Sequence, residues 1–438
     1  MSLRIHGLRA MEILDSRGNP TIEVECTLSD GTSARAQVPS GASTGRREAL
    51  ELRDADPLRF GGKGVLRAVA NVEAEIAQGL IGADAEDQMN LDRRLIELDG
   101  TPGKSRLGAN AILGVSCATA RATALSKGIP LWQRLGEISG LRPCLPVPMV
   151  NIMSGGHHAG FNVELQDFLA LPIGLSSFGQ SLRAVREVLY ATKEILAERG
   201  LRMTGVADEG GWGPDLPSNE AALEVLTMAI ERSGYRPGEQ IAIAIDAAAS
   251  HYHRHGAYHL QSEKRTLQPS ELIGLYESWS RRFPIVSLED GLDQDDEAGW
   301  RELTARLGGK MQVIGDDYLT TNPARVRESI GGKTANAVLV KMNQIGTLSE
   351  TFEVVRLAAA AGWRAVISAR SGETEDAFLA DLAVASGAGQ IKVGSVTRSE
   401  RLAKYNHLLW LERDSGLAWP GGGLLPPVPL GLAGGDPL

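Results

Sequence analysis

Four charged residues close short apolar runs in the second half of the chain. Ile-Ala-Ile leads into Asp246, Val-Ser-Leu into Glu289, Val-Ile-Gly into Asp316 and Val-Leu-Val into Lys341. In a barrel of parallel strands the C-terminal ends converge on one mouth, where such barrels carry their active sites. Three carboxylates gathered there repel one another unless a cation lies between them. Hard oxygen donors at few protein positions, with room left for water and substrate, favour Mg²⁺ over zinc or copper. A lysine beside such cations has its charged form disfavoured, which brings its pKa towards that of a general base. The chemistry open to this set is removal of a proton from a carbon next to a carboxylate, the ion stabilising the enolate. A single acid at a strand end is as well read as a cap on the next helix. Three in consecutive units, followed by a lysine, form a pattern.

The elements that must position these groups follow from periodicity. Leu8–Leu14, Thr21–Leu28 and Ser33–Val38 read as strands separated by the turn clusters Asp15–Pro20 and Ser29–Gly31. Beyond the Gly/Ser segment Pro39–Gly45 the apolar period becomes helical through Val65–Leu80, Ala85–Leu98 and Ala109–Leu125. Strands first and helices afterwards predict a small α+β domain, a three-stranded antiparallel meander plus helices, over residues 1–138. A Pro-containing linker, Leu141–Pro148, leads into residues 139–420. There, short strands near 149–153, 168–172, 240–245, 285–288, 312–314, 337–340, 365–367 and 390–393 alternate with helices such as Ser181–Arg199, Glu220–Ser233 and Leu348–Ala361. That alternation fits a (β/α) barrel, so the fold class is α/β with a barrel C-terminal domain behind a smaller α+β lid; a doubly wound open sheet is the second choice. Residues 421–438 read as a flexible Pro/Gly-rich tail.

Bulk properties narrow the partners. The 438 residues have the apolar and charged fractions of a soluble globular protein, with a formal net charge of −9. An acidic balance argues against nucleic acid, whose phosphates are met by clustered positive charge. No apolar run is long enough to span a bilayer and no signal peptide is evident, so a cytoplasmic location without membrane contact is expected. Cys26, Cys117 and Cys144 are too few and too scattered for a disulfide framework or zinc site, and are read as buried free thiols.

An ordered set of motifs then resembles the enolase family. Pro39-Ser40-Gly41-Ala42-Ser43-Thr44-Gly45, Asp208-Glu209-Gly210-Gly211, Ser287-Leu288-Glu289-Asp290-Gly291 and Gly315-Asp316-Asp317 look like its signatures. Lys341-Met342-Asn343-Gln344-Ile345-Gly346, Arg370-Ser371-Gly372-Glu373-Thr374 and Gln390-Ile391-Lys392 continue the series, so the likeness runs from about Glu12 to Asn406. A lysine base with one or two Mg²⁺ is the known pattern of that superfamily. The resemblance implies two Mg²⁺ per active site, the first held by Asp246, Glu289 and Asp316 and the second reached by Ser43. It implies Lys341 as the base at C2 of 2-phosphoglycerate and Glu209 as the acid that helps the C3 hydroxyl leave. Arg370 and Ser371 would hold the phosphate, and Lys392, His158 and Asp167 would complete the shell around a small anionic phosphorylated substrate. A homodimer or higher homo-oligomer is implied as well.

Two departures fall in the half of the site that expels hydroxide. The family's Gln-Glu-Phe is here Gln166-Asp167-Phe168, and its Ser-His-Arg-Ser is Ser368-Ala369-Arg370-Ser371. Groups in a hydrogen-bond network around an acid are not interchangeable, since shortening or deleting one moves the proton donor and shifts its pKa. Three readings remain open: a phosphopyruvate hydratase making phosphoenolpyruvate, a paralogue resembling the carboxyphosphonoenolpyruvate synthases with a different leaving or transferred group, and a silent scaffold. The third is disfavoured by the presence of every expected ligand and the base. The run His251, His253, His255, His259 alternates as three ligands on one strand face would, but Ser250–Leu260 with its His-Gly turn reads better as a surface hairpin. His157 reads as a loop residue facing water.

Overall fold

The computed structural model describes residues 3–41 and 45–421. Ser43 and the tail beyond residue 421 lie outside the described residues. The chain opens with β1 (Ile5–Leu14), β2 (Pro20–Leu28) and β3 (Ser33–Gln37), an antiparallel three-stranded sheet in sequence order. On β2 the residues Ile22, Val24, Cys26 and Leu28 are all fully buried. The period of two turns them to one face, against the helix Ala109–Ser126, which is itself buried along most of its length. The predicted 65–80 helix is continuous from Leu66 to Leu80 but passes through a π turn at Val72–Ile76.

Eight further strands close a barrel. They are β4 (Val147–Ser154), β5 (Asp167–Leu171) and β6 (Ala242–Asp246), then, after the small sheet β7 (His253–Arg254), β8 (Ala257–Leu260) and β9 (Arg265–Leu267), the strands β10 (Ile285–Glu289), β11 (Gln312–Gly315), β12 (Ala337–Val340), β13 (Arg364–Ser368) and β14 (Gln390–Gly394). The closed order is β10-β11-β12-β13-β14-β4-β5-β6. The barrel is not uniformly parallel, which corrects the simplest expectation: β5 runs antiparallel to both β4 and β6. Its approach, Gly155–Gln166, contains a single short 3₁₀ turn and stays at the mouth, so the strand must enter from that end. A parallel strand there would need a crossover down the outside of the barrel, usually a helix.

The inward face follows one rule from floor to mouth. On β6, Ala242 and Ala244 belong to the apolar cluster inside the barrel and Asp246 follows; on β12, Ala337 and Leu339 precede Lys341; on β5, read in reverse, Leu171 and Leu169 precede Asp167. The packed apolar layers make the interior a floor, not a pore, and leave the charged ring on top. A second, larger apolar cluster fills the space between the strands and the outer helices. Helices open on side-chain caps from Ser177, Ser218, Asp296, Asn322 and Thr347, each contributing about 0.5–2 kcal/mol.

Of two smaller expectations, the one for the cysteines holds in part and the one for the histidine run holds. Cys26 and Cys117 are buried, with burial pushing the Cys26 thiol up to about 11, but Cys144 is only half-buried. The His-rich stretch is a hairpin, turning at His255-Gly256 with φ of 52° and 79°, so its imidazoles do not converge. Among the described residues, no helix is long and apolar enough to cross a membrane.

Candidate active site

The mouth brings the expected residues together in three connected groups. Asp246 ends β6 and pairs in register with Glu289 at the end of β10. Their side chains share one cation: Lys392 Nζ, from β14, donates to Asp246 Oδ2 at 2.8 Å and to Glu289 Oε1 and Oε2 at 2.8 and 2.9 Å. Asp246 and Glu289 are 3% and 1% exposed, a burial that uncompensated carboxylates do not tolerate. Burial raises both carboxyls. Lys392 outweighs it at Asp246, which drops to about 2, whereas the charge of Asp246 adds to burial at Glu289 and drives that carboxyl well up.

The second group lies on the next two strands. Lys341, just after β12, donates to Asp316 Oδ2, and Gln344 Nε2 donates to Asp316 Oδ1 at 2.9 Å. Burial, together with Arg370 and Lys392, pushes the Lys341 ammonium towards neutrality, but the carboxylates Asp316 and Glu289 outweigh them and hold it above the ordinary lysine value. A cation bound to those acids would shift the balance back towards the neutral amine. Asp246, Glu289 and Asp316 do not all lie within 4.8 Å of one another, because two are drawn to Lys392 and one to Lys341. Asp316 instead clusters with Asp317 and Asp290. That trio is explained locally: Asp290 accepts the backbone N–H groups of Asp316 and Asp317 at 2.9 and 2.8 Å and so fixes the turn after β11.

The third group is the acid side. Asp167, fully buried, accepts from Asn151 and Ser154 and faces His158 Nδ1 at 3.1 Å. Burial alone would depress the imidazole, yet Asp167 and Glu209 raise it to about 9, which favours a proton on both ring nitrogens. Nε2 then donates to Ser371 Oγ at 3.0 Å, and Ser371 donates to Glu209 Oε1 at 3.2 Å. Glu209 lies on the long β5–β6 connection, 3.7 Å from His158 Nε2. Burial opposes its ionisation, but His158 and Arg401 keep its carboxyl below the usual range. His158, Glu209, Lys341, Arg370, Ser371 and Lys392 all line one small cavity of about 20 Å³.

Several residues at this site escaped the sequence reading. Glu48, on the lid, receives Arg370 Nη1 at 2.9 Å, and Asn343 Oδ1 accepts from the same nitrogen at 3.0 Å. Gln166 lines the cavity, donates to Asp246 Oδ2 at 3.2 Å and leaves its buried Oε1 without a hydrogen-bond partner. Its neighbour Asp167 was singled out, so adjacency was an available signal; for Glu48 no local signal exists. The lid meets the barrel through backbone bonds between Ser40 and Gly372 and through Arg46 and Arg47, which both pair with Asp295.

Comparison with known proteins agrees with this geometry. Residues 5–135 match the model of the enolase N-terminal domain, and residues 142–419 that of the enolase C-terminal TIM barrel domain. An enolase of Rubrobacter xylanophilus is 53% identical over 425 residues, covering 97% of this chain and 98% of that protein. A closed barrel with acids and lysines at its mouth, roofed by a meander domain, thus coincides with sequence identity at more than half of the aligned positions. This chain belongs to the enolase family and is an enolase-type carbon–oxygen lyase.

Proposed function

We propose that the enzyme takes the C2 proton of 2-phosphoglycerate and expels the C3 hydroxyl as water, giving phosphoenolpyruvate. The observation that carries this reading is the single cavity lined by a lysine, an acid joined to a protonated histidine, and two further cations, Arg370 and Lys392. Asp246, Glu289 and Asp316 would hold a first Mg²⁺, and Ser43 would contribute to a second. The donor set suits such an ion: three carboxylates on the neighbouring strands β6, β10 and β11, all oxygen, each no more than 8% exposed, with the unpartnered Gln166 Oε1 beside them. The ions, when bound, supply positive charge against which a carbanion next to a carboxylate is stabilised.

The chain's own groups do the rest. Burial, Arg370 and Lys392 favour a neutral Lys341 amine, and Asp316 opposes them; with Asp316 engaged as a ligand, the amine is free to accept the C2 proton. On the leaving side, His158 holds a proton at Nε2, two hydrogen bonds from Glu209 through Ser371, which lets Glu209 pass a proton to the departing hydroxyl. Arg370 and Ser371 grip the phosphate. The reading carries with it a cytoplasmic location and a homo-oligomer.

A second reading is favoured by one feature. Ala369, where the family has histidine, is buried in the cavity wall, and Asp167 is drawn back onto Asn151 and Ser154. A paralogue that transfers or expels a different group from the same substrate class would use that space. The test is to supply 2-phosphoglycerate and Mg²⁺ and to follow both solvent exchange at C2 and phosphoenolpyruvate. Exchange with product, both lost in Lys341→Ala, supports the hydratase; exchange without product supports the paralogue; neither signal removes both readings.

A further inference from the structure

His157 and His251 have no part in the chemistry above. His157 lies in the turn Gly156–Ala159 after β4, and His251 in the turn Ala249–His251 after β6. The fold sets their rings edge to face, with centroids 4.3 Å apart at 83°, and Phe161 also packs against His157, at 4.6 Å. His157 is exposed and His251 is half-buried. The Nδ1 of His251 is buried and has no hydrogen-bond partner. Leaving such a nitrogen unpaired costs about 1–3 kcal/mol, and an atom of this kind calls for an unseen water or ion. Of the other histidines of the hairpin, His253 Nδ1 lies 3.5 Å from Asp293, His259 bonds Thr266, and His255 is exposed at the turn.

We propose that His157 and His251 form a two-imidazole site for a late first-row divalent cation, tightest for Cu²⁺, at the rim of the active cavity. Imidazole suits these ions, and affinity rises along the series to copper. Two imidazoles on one ion with metal–nitrogen bonds of about 2.0–2.1 Å stand with ring centres about 5 Å apart. The exposed His157 reaches that arrangement by turning its side chain and retreating less than about 1 Å. Burial lowers both imidazoles, His251 to about 4, which favours the neutral form that ligates. Water completes the coordination. An ion there ties the turn that carries His158 to the turn that follows Asp246, so occupancy slows turnover without displacing Mg²⁺.

The test titrates Cu²⁺ into the full chain held in excess Mg²⁺, by calorimetry and electron paramagnetic resonance. One Cu²⁺ per chain is expected, with hyperfine splitting from two imidazole nitrogens. His157→Gln and His251→Gln should each weaken binding at least tenfold, while Mg²⁺-dependent activity without copper stays unchanged. Should His251→Gln fail to fold, the exposed His157→Gln decides alone. A signal with one imidazole nitrogen that survives in these variants puts the ion at His158, Asp167 and Glu209, whose ligand atoms are also mutually close, and overturns the proposal. So does the absence of Cu²⁺ binding. The resonance readout is independent of activity, so its failure and failure of the lyase reading are separate results.

Discussion

Replacing Lys392 by Met isolates the charge balance at the mouth. The substitution keeps an unbranched side chain one atom shorter but removes three hydrogen bonds of 2.8–2.9 Å and the only side-chain cation bonded to both Asp246 and Glu289 among the described residues. Breaking a buried ion pair from one side costs about 3–5 kcal/mol, because the remaining charge is left without compensation. In a chelator the variant should therefore melt several degrees below the wild type, at a few degrees per kcal/mol for a large domain. Any fold that binds Mg²⁺ gains about 2.7 kcal/mol at a hundred times its Kd. In Lys392→Met the ion also relieves two uncompensated carboxylates, so it should recover more than half of the deficit. The assay is thermal unfolding of both proteins in chelator and in excess Mg²⁺. Lys404→Met is the control: Lys404 is also buried and pairs with Glu373 at 2.8 Å, not with Asp246, Glu289 or Asp316, so its deficit should not respond to Mg²⁺. A Lys392→Met deficit unchanged by Mg²⁺ would refute the assignment of Asp246 and Glu289 as cation ligands.

Other outcomes follow from individual contacts. Arg401, fully buried, donates to the main-chain oxygens of Arg370, Ser371 and Val393; Arg401→Lys loses that fork, and KM for 2-phosphoglycerate should rise about tenfold, one charged hydrogen bond contributing about 1.5–3 kcal/mol. An unaltered KM would remove its role in positioning the phosphate grip. Ala369→His combined with Asp167→Glu should raise phosphoenolpyruvate formation relative to C2 exchange at least tenfold, a modest share of the 10²–10⁴ typical of acid–base groups; no gain would show that these departures do not limit the leaving step. His407 donates to Asp381 at 2.8 Å and is raised above its ordinary value by that bond, against burial. Its contribution is therefore complete below about pH 6.5 and lost as pH rises through the folded value. With the side chain a third exposed, the effect stays under about 1 kcal/mol. The urea stability gap between wild type and His407→Gln should narrow between about pH 6 and pH 9; a gap that widens would contradict the assigned sign.

What was legible in the sequence was what a few consecutive residues encode. The alternation in Ile22–Leu28 and the apolar runs ending at Asp246, Glu289 and Lys341 specify strands and the end of each strand at which a charge stands, because side-chain period and chain stop are local properties. The motif order carried the family. Three matters were decided only by the tertiary structure. The direction of β5, and with it the arrival of Asp167 at the mouth rather than the floor, depends on the route of the chain between strands, which no periodicity records. The charge balance at Lys341 is a sum over burial, Asp316, Arg370, Glu289 and Lys392, groups far apart in sequence. The pairing of Glu48 with Arg370, and of His157 with His251, joins loops that share no pattern. Electrostatic energy and packing depend on separation in space, and separation in space is what folding supplies.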